Sequence, residues 1–149
     1  MIKIIATLLT IFAFSTSHAK KVNVGIILGF TGPIESLTPD MAAGAELAFS
    51  EASNSGKLLN GSNINVIRAD STCIDSAAAT SAAEGLVSQG VTAIMGADCS
   101  GVTGAILSNV AVPNGVPMIS PSATSPGLTT AEDNGLFFRT APSDARGGE

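Results

Sequence analysis

Val22-Asn23-Val24-Gly25-Ile26-Ile27-Leu28, followed at once by Gly29-Phe30-Thr31-Gly32-Pro33, is the stretch whose reading decides the fold. Its first part is an almost continuous apolar run, as expected of a strand buried on both faces of a parallel sheet. The glycines and the proline then break the run into a loop. Thr38-Pro39-Asp40 has the order of a helix start, with Thr as N-cap, Pro in the first turn and Asp near the positive end. Met41, Ala45, Leu47, Ala48 and Ala52 predict a small-residue apolar face on this helix, which Asn54-Ser55-Gly56 ends.

The same alternation of strand and helix continues along the chain. Ile64 to Ala69 alternates and reads as a second strand. Asp75 caps a second helix that runs through Gln89 and closes at Gly90; Ala77, Ala78, Ala79, Ala82 and Ala83 let it approach a sheet closely. Val91 to Met95 is a third strand, and Ser100 begins a third helix reaching about Val112. Asn114-Gly115 turns the chain into a fourth strand, Val116 to Ile119, with Pro117 near its start. A polar loop from Ser120 to Gly135 leads to a short fifth strand, Leu136 to Arg139. Ser143-Asp144 has the pattern of a further helix cap, and the chain is expected to be the N-terminal part of a longer protein.

The order β-α-β-α-β-α-β-loop-β, joined by right-handed crossovers, predicts the α/β class and a doubly wound parallel sheet. In such sheets ligands bind at the carboxyl ends of the strands, near the point where the strand order reverses. Loops 29–38, 96–103 and 120–130 fall there, and they are also the loops of unusual composition.

Of 149 residues, 45% are hydrophobic and 13% charged, enough apolar material for a core and unlike a disordered chain. Net charge is −5 with no basic patch, so nucleic acid is not expected as a partner. Lys3, the apolar run Ile4 to Phe14 and the small residues of Ser17-His18-Ala19 predict a secretory signal peptide over residues 1–19, cleaved after Ala19. The run is short for a bilayer span, and no Cys stands at the cleavage site to carry a lipid. Cleavage removes His18, the only histidine, and with it His-based catalysis and His metal ligation. No metal, cofactor or enzymatic activity is expected of the remaining domain, 20–149. Cys73 and Cys99 then lie in an oxidising compartment and are expected to form a disulfide.

Two loops carry the candidate chemistry. In Gly96-Ala97-Asp98-Cys99-Ser100-Gly101-Val102-Thr103, Ser100 at a helix start sets a hydroxyl beside free backbone N–H groups, where a carboxylate fits without Lys or Arg. Simple helix capping accounts for the same residues. In Ser120-Pro121-Ser122-Ala123-Thr124-Ser125-Pro126-Gly127-Leu128-Thr129, two prolines stiffen a loop dense in hydroxyls, suited to presenting Thr124 and nearby backbone groups to a polar ligand; a solvated surface loop has the same composition. Asp98 has only Ser100 and Cys99 beside it and reads as a loop acid without a catalytic role. The glycines at 25, 29 and 32 do not make a dinucleotide fingerprint, and neither a Walker motif nor G-x-S-x-G occurs.

Taken together these segments resemble one family, the type I periplasmic binding proteins of branched-chain amino acid ABC importers. The likeness runs through Val24-Gly25-Ile26-Ile27 with Thr31-Gly32-Pro33, Pro39-Asp40-Met41 with Gly44-Ala45-Glu46-Leu47-Ala48, Ile119-Ser120-Pro121-Ser122-Ala123-Thr124, Phe138-Arg139-Thr140 and Pro142-Ser143-Asp144. It implies a two-lobed protein of which this chain supplies an incomplete first lobe, with lobe two absent. It implies a periplasmic location, a small amino-acid ligand held between the lobes, and an ABC permease as partner. By the same resemblance Ser100 binds the ligand carboxylate through its hydroxyl and N–H, and the N–H of Thr124 shares it. The Thr124 hydroxyl and the Ser122 carbonyl accept from the ligand's amino group, Ala123 lines the cleft, and Leu37 stands against the ligand. The Cys73–Cys99 pair matches a disulfide of the family. Two other readings compete. An extracellular sensor domain of the same fold predicts a downstream transmembrane segment, and a secreted α/β hydrolase predicts a downstream His with a paired Asp.

Overall fold

The computed structural model describes residues 20–147; the expected signal peptide lies outside the described residues. Strand β1 (Lys21–Leu28) is the axis of the fold. It pairs in parallel with β2 (Asn63–Asp70) on one side, from Lys21 opposite Asn63 to Leu28 opposite Asp70, and with β3 (Ala93–Gly96) on the other. Next come β4 (Met118–Ser120) and β5 (Phe137–Arg139), also parallel, so the five-stranded sheet runs β2-β1-β3-β4-β5. The strand order reverses between β1 and β3, the doubly wound arrangement expected.

Both faces of β1 are covered, which is why its sequence runs apolar instead of alternating. Ile26 and Leu28 pack with Met41, Ala42, Ala45 and Phe49 of helix α1 (Thr38–Asn54). Ile27 turns the other way, into a larger core with Ala79, Ala83 and Leu86 of α2 (Ser76–Ser88) and Val102 and Ile106 of α3 (Ser100–Ile106). Ile26, Ile27 and Leu28 are fully buried, each contributing roughly 1.5–3 kcal/mol of apolar burial. The alanines of α2 let it lie close. A Cβ on Gly25 would stand 2.7 Å from Leu86 Cδ1, so glycine there is what admits the leucine.

Element ends depart from expectation in instructive ways. Asp75 caps α2 as predicted, accepting from the N–H groups of Ala77 and Ala78. Thr38 does not cap α1. Leu37 holds the cap position, and the fully buried Thr38 turns its hydroxyl inward to donate to the Gly29 carbonyl at 3.0 Å. The third helix is not uniform: after α3 a π-helical turn, Leu107–Ala111, leads into α4 (Val112–Asn114). Pro113 explains the widening, because a proline ring crowds the carbonyl four residues back and has no N–H to give it. Strands β3 and β4 each begin two residues later than the apolar runs suggest. Val91, past the end of α2, still bonds back to it, its N–H donating to Leu86 O, and just ahead of the fourth strand the Pro117 carbonyl accepts from Ile94 N–H. Among the described residues, no helix is long and apolar enough to cross a membrane.

Candidate ligand-binding site

The loops after β1, β2, β3 and β4 meet at the carboxyl edge of the sheet, and Asp98 ties three of them together. It is only 4% exposed. Its carboxylate accepts from Gly29 N–H at 2.7 Å, from the Ser71 hydroxyl at 3.2 Å and from Cys99 N–H at 2.9 Å. Asp98, expected from sequence only as a loop acid, thus has a structural role that the sequence did not reveal. Cys73 and Cys99 are joined in a disulfide that fastens the β2 loop to the β3 loop. Glycine is required where these loops crowd. A Cβ on Gly32, at φ +93°, would lie 2.5 Å from Thr72 O, and one on Gly96, at φ +131°, would lie 2.0 Å from Ile27 O.

At the outer edge of the same surface, Asp70 at the end of β2 accepts from the Thr31 hydroxyl at 2.6 Å and from Thr72 N–H at 2.8 Å. Partial burial pushes its carboxyl up, but hydrogen bonds from the Thr31 hydroxyl and from backbone N–H groups outweigh this and hold it below the usual carboxylate range.

The β3 and β4 loops are joined by hydroxyls. The buried Ser120 donates to the Ala97 carbonyl and accepts from Ala123 N–H at 3.0 Å. Ser122 donates to the Asp98 carbonyl at 3.0 Å. Ser100 accepts from Thr124 N–H at 3.1 Å and Ser125 N–H at 3.0 Å. Ser100 therefore does not cap its own helix, where Cys99 holds the cap position; its hydroxyl oxygen gathers two amides of the neighbouring loop. A hydroxyl has two acceptor lone pairs and one proton. With both lone pairs engaged, what Ser100 has left to offer is its proton, and among the described residues it donates that proton to none.

Thr124 has the opposite polarity. Its hydroxyl donates to Asp144 Oδ2 at 2.8 Å, and its carbonyl accepts from Asp144 N–H at 2.9 Å. A carboxylate only accepts, so the Thr124 proton is committed and its remaining capacity is as an acceptor. Arg139, at the end of β5, holds the same loop from behind. Its guanidinium donates to the carbonyls of Ala123 and Ser125, at 3.3 and 2.9 Å, and to the Thr129 hydroxyl.

Of the residues expected to meet a ligand, the structure brings Ser100, Ser122 and Thr124 into one cluster. Nothing among the described residues donates to the Ser122 carbonyl, which is free to accept. Leu37 is at the same sheet edge, 61% exposed. Two details differ from expectation. The N–H of Thr124, expected to share a carboxylate, here donates to Ser100. Ala123, expected to line the cleft, is 1% exposed, because its N–H and carbonyl are pinned by Ser120 and Arg139 and draw its methyl into the protein. A groove of about 610 Å³ beside the cluster is lined by Pro126, Thr129, Arg139, Pro142 and Arg146 and does not include Ser100 or Thr124. The candidate site is an open edge. Asp98, Ser120, Arg139 and Asp144 were not singled out from sequence as site residues. Arg139 carried a signal, a charge closing an otherwise apolar strand.

Comparison with known proteins agrees with this fold. A family described as periplasmic binding protein matches residues 21–149. The Leu/Ile/Val-binding protein BraC3 of Rhizobium johnstonii is 32% identical over 124 residues, covering 83% of this chain and 33% of the relative. Among solved structures, the branched-chain amino acid transporter substrate binding protein LivJ of Streptococcus pneumoniae, in complex with isoleucine, superposes with a TM-score of 0.74 at 34% identity, over 85% of this chain and 35% of that one. A solute binding protein of an ABC transporter from R. palustris, in complex with benzoate, superposes with a TM-score of 0.70 at 26% identity, over 85% and 34%. The chain spans about a third of the length of these relatives.

Proposed function

The chain belongs to the periplasmic binding protein family, among its branched-chain amino acid (type I) members, and from that premise we propose that it supplies one wall of a ligand cleft. In this reading the full-length protein is the periplasmic solute-binding component of an ABC importer, exported by the signal peptide of residues 1–19. It captures a branched-chain amino acid between two lobes and hands it to a membrane permease. Its work is binding and not turnover.

The observation that carries the reading is the polarity of Ser100. Two N–H groups donating into its oxygen leave only a donor to present, and they polarise that O–H toward an acceptor. A carboxylate oxygen is the acceptor that benefits most, since hydrogen bonds to charged groups are the stronger class. The Thr124 N–H then acts through Ser100 and not directly on the ligand. The Thr124 hydroxyl and the Ser122 carbonyl, both with acceptor capacity, suit an ammonium beside that carboxylate. Leu37 offers exposed apolar surface to a side chain. An open edge, and not a closed cavity, is the form expected of one wall of a cleft that closes when two lobes meet.

Isothermal titration calorimetry of the full-length protein against leucine, isoleucine, valine, benzoate, glucose and putrescine tests this. Saturable binding of at least one of the three amino acids is the expected result. Binding of glucose or putrescine alone contradicts the carboxylate site, and binding of benzoate alone contradicts the amino-acid assignment while leaving the carboxylate site standing.

A further inference from the structure

We infer that Asp144 is a specificity-determining residue: by taking the proton of the Thr124 hydroxyl it makes that hydroxyl an acceptor and so selects ligands that carry an ammonium group beside the carboxylate. The inference rests on the amino-acid reading above and deepens it. A threonine hydroxyl left to rotate satisfies a donor or an acceptor equally well, and so discriminates poorly between an amine and a ketone at the same position of a ligand. Asp144 removes that freedom. Its Oδ2 is 2.8 Å from Thr124 Oγ1, and its backbone N–H holds the Thr124 carbonyl at 2.9 Å, so the same residue fixes both the position of Thr124 and the direction of its hydroxyl. Ser143 supports the arrangement by accepting from Ala145 N–H and fixing the first turn of the short 3-10 helix Asp144–Arg146. Behind the loop, Arg139 holds the carbonyls on either side of Thr124.

Ser100 and Thr124 are thus set to opposite polarity by their own neighbours. Ser100 receives two N–H donors and is left to donate; Thr124 gives its proton to a carboxylate and is left to accept. A donor and an acceptor on adjoining loops read the two halves of a zwitterion. A keto acid of the same shape leaves the Thr124 oxygen facing a carbonyl oxygen, lone pair to lone pair, and a site with an unpaired polar group rejects the wrong partner more strongly than one that differs only in shape.

The test compares leucine with 4-methyl-2-oxopentanoate, its oxo analogue, by calorimetry on the full-length protein. Wild type is expected to favour leucine strongly. Asp144→Ala frees the Thr124 hydroxyl while keeping the backbone N–H, and is expected to reduce the leucine-to-oxo-acid affinity ratio by roughly tenfold, chiefly through weaker leucine binding. Asp144→Asn keeps an acceptor and is expected to fall between the two. In a Thr124→Val background, Asp144→Ala should leave the ratio unchanged, because the hydroxyl it acts through is gone. Equal weakening of both ligands in Asp144→Ala marks a merely structural role and overturns the inference, as does a wild type that binds the oxo acid as tightly as leucine. A wild type that binds leucine with an unmoved ratio in the variant refutes the role of Asp144 alone, whereas a wild type that binds neither ligand refutes the amino-acid reading on which it rests.

Discussion

Asp70 and Asp98 occupy the same sheet edge, yet they do different work and their sequence contexts do not reveal which. Asp70 ends one strand, Asp98 follows another, and each stands near hydroxyl residues. Asp98 is enclosed and bonds across three loops, whereas Asp70 stays at the rim, bonded to Thr31 and Thr72. The Asp70 carboxyl is held below its ordinary value of 3.8, so its contribution to stability is fully present above that pH and is lost as the pH falls through the lower, folded-state value. Urea unfolding followed by circular dichroism is expected to find Asp70→Asn less stable than wild type at pH 7, with the difference shrinking below about pH 4 as the wild-type carboxylate takes up its proton. A difference that stays constant down to strongly acid pH would contradict the assignment. Thr38 teaches a similar lesson. A hydroxyl at the start of a helix looks like a cap in any local reading, and only the packing of the β1 loop against α1 decides that it turns inward to Gly29.

At the level of elements, much was legible because local chemistry and global packing agree. The unbroken apolar run of β1 followed from burial on both faces, and Asp75 caps α2 because the free N–H groups of Ala77 and Ala78 lie within its own reach. The π-helical turn before Pro113 was not legible, since the periodicity of an apolar helix face survives one widened turn. The roles of Ser100 and Ser120 were only half legible. Their place on loops at the carboxyl edge of the sheet followed from the strand order, but Ser100 bonds to amides 24 and 25 residues on and Ser120 to a carbonyl 23 residues back, and pairings across βα units have no local signal. The Cys73–Cys99 bridge joins two of these loops across 26 residues. In the chain-entropy account a loop of that length is worth about 3–4 kcal/mol. The full-length protein, unfolded without reductant, should show no thiol from this pair on titration. The Cys73→Ala/Cys99→Ala double variant should lose stability of that order in urea unfolding, and an unchanged midpoint would contradict the role given to the bridge.

Across the whole molecule, the two faces of the sheet are unequal. The α2–α3 face is packed from β1 through β4. On the α1 face the cover reaches β1 and Met95 of β3, while Ile119 of β4 and Phe138 of β5 are 43% and 56% exposed. The carboxyl edge of the sheet is likewise open, with its hydroxyls pre-set by loops that hold one another and not by a closed cavity. In the proposed function, this division of labour would place the recognition of a ligand's charged head on serine and threonine hydroxyls whose orientation is settled before any ligand arrives. In the proposed function Ser100, left with only a proton to offer, binds the carboxylate of an amino acid. The most direct test is calorimetric titration of leucine into the full-length protein, comparing wild type, Ser100→Ala and Glu46→Gln, the last removing a surface pairing with Arg68 on the α1 side. Loss of a hydrogen bond to a charged group costs about 1.5–3 kcal/mol, so Ser100→Ala is predicted to weaken binding by roughly ten- to hundredfold while Glu46→Gln leaves it unchanged; wild-type affinity in Ser100→Ala would contradict the account.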